Sequence, residues 1–154
     1  MAVSRKTPIY FIIQIQDGPF LKCSPYNHSL HSSFLTQETA LHLAAMFDMS
    51  GSGVRALIEA GASINARDGD KRSPLHHAAI WNPAAVPILL AAKAKVNLLD
   101  KWNSSPLCLA ALNNQPASVI ALLNAGGNPH LGYSPLTDFE VPKDIKDLIK
   151  NHSN

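Results

Sequence analysis

Four short segments of the chain align in phase: Thr39-Ala40-Leu41-His42, Ser73-Pro74-Leu75-His76, Ser105-Pro106-Leu107-Cys108 and Ser134-Pro135-Leu136-Thr137. Their starts lie 34, 32 and 29 residues apart. A short unit repeated at such a period cannot bury its own apolar face, so it must stack on its neighbours. The first three segments run into alanine pairs, Ala44-Ala45, Ala78-Ala79 and Ala110-Ala111. A second landmark follows in each unit: Leu57-Ile58-Glu59-Ala60-Gly61, Leu89-Leu90-Ala91-Ala92-Lys93 and Leu122-Leu123-Asn124-Ala125-Gly126. A third is Ile64-Asn65, Val96-Asn97 and Pro129-His130. The chemistry suits a helix pair. Ser or Thr accepts bonds from the first helical amides, and Pro beside it occupies the one position where its missing N–H costs nothing. Paired alanines let helices approach closely, the leucine pair forms a buried stripe, and Gly61 and Gly126 end the second helix in a left-handed conformation.

Together these landmarks resemble the ankyrin repeat, a turn plus two antiparallel helices with the signature T-P-L-H-x-A. The resemblance implies an all-α solenoid of stacked helix-turn-helix units with divergent terminal caps, one domain over 1–154. Repeats are expected at 39–72, 73–104 and 105–133, the last shortened in its turn, with a C-terminal cap at 134–154. In that cap Pro142 opens a helix whose Ile145, Leu148 and Ile149 share one face. Residues 7–38 are expected to form a degenerate N-terminal cap repeat. Thr7-Pro8-Ile9-Tyr10 lies 32 residues before Thr39, and Asn27 stands at the helix-ending position. Lys93 replaces glycine at that position in the second repeat, where a left-handed backbone would be strained. Pro83 can start the second helix of that repeat, but Pro87, four residues later, is expected to delay that start and shorten the helix. The resemblance also implies that His42 and His76 bond between adjacent repeats and that Asn65 and Asn97 tie the turn backbone.

Composition narrows the function classes. A chain of 154 residues that is 46% hydrophobic and 16% charged can bury a core. A net charge of +2, with no basic block, argues against nucleic acid or an anionic membrane as partner. No apolar run has the length of a spanning helix. Ile9 to Ile15 is short and reads as a buried element rather than a leader. Cys23 and Cys108 offer no zinc spacing or disulfide framework, so a cytoplasmic or other intracellular location is expected, with delivery into a host cell left open.

The sequence carries little catalytic signal. It has no nucleophile elbow, P-loop, G-x-G-x-x-G or H-E-x-x-H. His28-x-x-His31 has only Cys23 and Asp17 near it, so an enzyme or metalloprotein with a site in the N-terminal segment is the alternative reading. Gly51-Ser52-Gly53 suggests a phosphate cradle but lacks the following Lys-Ser or Lys-Thr, and reads as an inter-helix loop. Cys108 reads as a small buried group. No cofactor, metal or small-molecule substrate is expected.

The partner expected is another protein, and large side chains mark where it would bind. By the family's register the concave groove receives the residues after each alanine pair: Met46, Phe47, Ile80, Trp81, Leu112 and Asn113. His77 follows the motif histidine and is placed with them. The turns contribute Leu35, Arg67, Asp70, Arg72, Leu99, Lys101, Trp102 and Tyr133. Both tryptophans fall on this surface, and contiguous exposed apolar side chains mark interaction sites. If residues 7–38 cap the first clear repeat, a chain starting near Ser33 exposes Leu41, Leu43 and Leu57. Such a truncation is expected to aggregate or melt early in circular dichroism. An equally stable, monodisperse product would reject the cap.

Overall fold

The computed structural model describes residues 37–135 and 141–152. The N-terminal cap expected at 7–38 lies almost wholly outside the described residues, as do Leu35, His28, His31 and Cys23. Among the described residues there are seven helices and no strand. They are α1 (Ala40–Phe47), α2 (Ser52–Glu59), α3 (Pro74–Trp81), α4 (Ala85–Ala91), α5 (Pro106–Leu112), α6 (Pro116–Asn124) and α7 (Lys143–His152). The first helices of the repeats, α1, α3 and α5, form one layer, and α2, α4 and α6 form a second behind it. Helix α7 packs on α6 and closes the C-terminal end with buried Ile145 and Ile149.

The sequence explains the layers. Thr39, Ser73 and Ser105 sit in extended backbone at the helix N-caps, and Pro74 and Pro106 occupy first helical positions. Ala45, Ala78, Ala79, Ala110 and Ala111 are fully buried between first helices, where a larger side chain would hold the layer apart. Leu41, Leu75 and Leu107 stack in the same core, joined by Leu89 and Leu122 from the second layer.

Polar ties cross from repeat to repeat at each level. The His42 Nδ1 atom accepts from the Thr39 amide at 3.0 Å, so its Nε2–H donates at 3.0 Å to the carbonyl of Arg72, the residue at the junction with the next repeat. At the inter-helix loops, Asn82 Nδ2 donates to the Asp48 carbonyl and Gln115 Nε2 to the Ile80 carbonyl. At the outer turns, Asn65 Oδ1 accepts from the Lys95 amide, and Asn97 Oδ1 from the Asn128 amide. The recurrent asparagines thus join neighbouring repeats and do not merely close their own turns.

The Gly51-Ser52-Gly53 segment opens α2, with Gly51 left-handed at φ 71°. The positive φ favours glycine, and a Cβ there would in addition meet Ile88 Cδ1 at 2.3 Å and push that side chain aside. Asp48 occupies the amides that suggested a phosphate cradle. Its Oδ1 accepts from Ser50 and Gly51, and its Oδ2 from Val54. Burial would raise the Asp48 carboxyl, but the Ser50 hydroxyl and these backbone bonds hold it below its ordinary value.

All three second helices end alike. The amides of Ala62, Ala94 and Gly127 reach back to the carbonyls of Leu57, Leu89 and Leu122. This wrap needs a left-handed residue at Gly61, Lys93 and Gly126, with φ of 83°, 67° and 85°. Pro83 does not start α4, and the start is delayed, as Pro87 implied. It stands in a turn and the helix begins at Ala85, which puts Pro87 in the first turn, where its lost N–H had no intrahelical partner. Lys93 is therefore strained. Lys93→Gly removes a left-handed cost of about 1–2 kcal/mol and adds back part of it as unfolded-chain entropy. The variant is expected to gain up to about 1 kcal/mol in urea unfolding, a rise of roughly 2–4 °C in melting temperature. A loss of stability would contradict the strain.

Candidate interaction groove

Two projecting hairpins form one wall of the groove, and each is held by one aspartate. Asp68 Oδ1 accepts from the amides of Asp70 and Arg72, both at 2.8 Å. Asp100 Oδ1 accepts from the amides of Trp102 and Ser104, at 3.0 and 2.8 Å. Each hairpin turns through a left-handed residue three positions on, Lys71 at φ 58° and Asn103 at φ 66°. The Lys101 amide bonds to the Asp70 carbonyl, so the two hairpins are linked edge to edge. A third contact continues the row, from the Tyr133 amide to the Asn103 carbonyl. The chain can approach that closely because residue 132 is glycine: a Cβ there would stand 2.2 Å from the Asn103 oxygen.

The second oxygen of each aspartate differs in partner, and that difference shapes the groove. Asp68 Oδ2 accepts from His77 Nε2 at 2.8 Å. The residue equivalent to His77 in the next repeat is Leu109, which has no donor. Asp100 Oδ2 instead accepts from Arg72 Nε at 3.2 Å. Arg72 is thereby drawn from one hairpin across the next. Its guanidinium carbon stands 4.8 Å from the centre of the Trp102 ring, and Lys101 Nζ stands 4.3 Å from the same ring. Lys101 also pairs with Asp70, and Arg67 bonds to the Leu99 carbonyl.

Between this wall and the first helices lies an open groove of about 450 Å³. Trp102, Arg72 and Asp70 line the hairpin side, and Ile80, Trp81, Leu109 and Asn113 the helix side. The two tryptophans, placed together by register, do share one site. Trp81 is 40% exposed and Trp102 53%. Lys101, Asn113, Arg67 and Tyr133 are exposed, and Asp70, Arg72, Leu99, Met46 and Leu112 are half-buried.

Several expected positions need correction. His77 is only 5% exposed: it turns inward to Asp68 rather than into the groove. Ile80 is 7% exposed and forms the groove floor, not an exposed contact. Leu112 leans against the core, so its share of open surface is smaller than the register suggests. Phe47 is 63% exposed, yet it does not line the space between the tryptophans. Leu109 lines the groove and was missed. Its signal was present, because it occupies the same motif position as His77.

Beneath the groove the histidines form a buried layer. The rings of His42 and His77 meet edge to face at 5.5 Å. Glu38, Asp68 and His77 bring possible ligand atoms within 4.8 Å of one another. The Asp68–His77 contact of 2.8 Å is a hydrogen bond, shorter than the roughly 3.3 Å between two ligands on a tetrahedral ion with 2.0–2.1 Å bonds. Burial would raise the Asp68 carboxyl, but the bonds from His77 and the hairpin amides hold it below its ordinary value. Cys108 is fully buried, as expected for a small packing group.

The repeated helix pairs, the capped histidines and the linked hairpins agree with a match to the family model for ankyrin repeats over residues 14–100. The chain belongs to the ankyrin-repeat family. It is 31% identical to human neurogenic locus notch homolog protein 2 over 60% of this chain and 5% of that protein. It is 32% identical to human neurogenic locus notch homolog protein 1 over 65% of this chain and 5% of that protein. Serine/threonine-protein kinase 12 of Arabidopsis thaliana is 37% identical over 51% of this chain and 17% of that protein. The chain therefore spans a small fraction of these relatives. Ankyrin repeats are generally protein–protein interaction modules without catalytic activity of their own. Among the described residues, no helix is long and apolar enough to cross a membrane.

The histidine layer makes stability depend on pH. Burial pushes His76 from 6.5 down to about 4, against the opposing pull of Asp100 and the Ser104 backbone. Burial also lowers His42, against the pull of the Arg72 carbonyl. Between these limits the unfolded chain binds a proton that the folded chain refuses, so stability is complete above about pH 6.5 and falls as pH drops toward 4. His76 alone accounts for a loss on the order of 3 kcal/mol across that window. Asp48 and Asp68, lowered from 3.8, extend the loss to lower pH. Urea midpoints are expected to be flat from pH 8 to 7 and to decline below about 6.5. Midpoints constant down to pH 4.5 would show that His76 is protonated in the fold.

Proposed function

We propose that this chain binds another protein through the groove between its hairpins and its first helices, acting as a small adaptor, inhibitor or pathogen effector. The observation that carries the reading is two exposed tryptophans, one on a first helix and one on the hairpin that follows it, facing one open space. Exposed indole rings have little reason to gather on a soluble solenoid, and tryptophan is among the commonest residues at the energetic centres of interfaces. Ile80 and Leu109 supply an apolar floor, while Arg67, Lys101 and Asn113 provide a polar rim. The face is prebuilt, because hydrogen bonds hold both hairpins and two cations stand against the Trp102 ring. A partner would meet little conformational cost there.

The reading assigns no reaction, cofactor, nucleic acid or small-molecule substrate to the chain, and places it inside a cell. Substrates and partners of the longer relatives are not carried over, since the match covers so little of them. The test is the double variant Trp81→Ala, Trp102→Ala in the full chain. Neither ring is in the core, so helical content and melting should change little. Partner capture should weaken by roughly 30-fold or more, the effect of losing one hot-spot tryptophan. A variant that folds and binds a protein partner as tightly as the parent would place the interface on another face.

A further inference from the structure

We infer that the groove recognises a peptide segment carrying a carboxylate beside a large apolar side chain, with Arg72 as the carboxylate receptor. The inference rests on the groove reading above and assigns it a ligand chemistry.

The argument starts from how Arg72 is held. A lysine or arginine on a surface usually samples many rotamers, and fixing it costs entropy. Arg72 is already fixed. Its Nε is spent on Asp100, its planar face lies against Trp102, and the groove wall covers much of its length. Among the described residues, neither Nη nitrogen of Arg72 has a hydrogen-bond partner. The guanidinium therefore presents unspent N–H donors along the groove from a preset position. Carboxylate oxygens match that planar fork, and charge-assisted bonds to it are the strong kind.

The surrounding charge points the same way. Arg67, Lys71, Arg72 and Lys101 reach solvent on the hairpin face, and among the described residues the half-buried acids near them are Glu38 and Asp70. Asp70 lines the groove too, but Lys101 pairs with it. Asp68 and Asp100 are buried and fully committed to amides, His77 and Arg72. The cations therefore stand outermost on this face, while Asp68 and Asp100, the acids that balance them, lie buried beneath. Across the groove, Ile80, Trp81 and Leu109 present an apolar seat without a cation among them. A ligand side chain on that seat and an acid on Arg72 would use both halves of the space.

The experiment pans the immobilised full chain against a random linear peptide library, then measures the leading peptides by fluorescence polarisation. Each peptide is compared with its acid-to-amide counterpart and with its phosphoserine counterpart. Enriched peptides should share an Asp or Glu near a large apolar residue. The amide form should bind the parent chain roughly tenfold more weakly, and that preference should vanish in Arg72→Gln. Arg72→Lys keeps the charge but loses the fork, so it should show an intermediate preference and serves if Arg72→Gln fails to fold. Tryptophan-dependent peptides without an acid, or an acid preference unchanged in both variants, would overturn the inference while leaving the groove reading intact. A phosphoserine form that binds more tightly than the acid would overturn it in favour of phosphate. No enriched peptide, or peptides whose binding survives Trp81→Ala with Trp102→Ala, would overturn the groove reading and this inference together.

Discussion

No helix pair in this chain can bury both of its faces, so every repeat depends on the next to complete its core. The fully buried alanines of α1, α3 and α5 make that stacking possible by letting backbones come together. Close approach then strands backbone polar groups, which must be bonded to be buried. The polar ties answer this need. His42 spans from its own cap to the Arg72 carbonyl, Asn82 reaches the Asp48 carbonyl, and Gln115 reaches the Ile80 carbonyl. Apolar stacking provides the driving force, and these bonds set the register in which stacking occurs.

That register also builds the groove. Asp68 and Asp100 each use one oxygen to fold a hairpin and the other to reach outside it. Where the following helix offers a histidine, the bond pulls the side chain inward and leaves the surface without it. Where it offers leucine, the oxygen is left for Arg72, which crosses from the neighbouring hairpin and stacks on Trp102. A single replacement between repeats, His77 against Leu109, thus separates a closed structural contact from an open, charged and aromatic one. Repeats that share a backbone can in this way carry quite different surfaces.

The family relation and the groove speak to different questions. The relation accounts for the architecture and for interaction as the general role. It does not reach the chemistry of a partner, because the matched relatives are far longer and the chain spans 5% of the Notch proteins. The groove residues are this chain's own. Any specificity must come from which side chains the hairpins and first helices present, since ankyrin folds host many partners on one scaffold.

Much of the fold was legible in the linear pattern because it follows from local chemistry repeated in phase. Ser or Thr before Pro reads as a helix start, the alanine pair as a close contact, and glycine as a helix end. Even the Lys93 irregularity was visible, because its neighbours at that position are glycines, and the backbone is indeed left-handed there. The start of α4 was legible only in part: Pro87 implied a delayed start, but not that the helix begins at Ala85 with Pro83 in the turn before it. The gathering of the two tryptophans was readable from register. The inward turn of His77, the place of Leu109 in the groove floor and the capture of Arg72 were not. Periodicity determines which residues share a face, because it is a property of the backbone. Which of them stays open depends on which buried acceptor finds a donor, and that pairing joins residues 9 and 28 positions apart that meet only when the repeats stack.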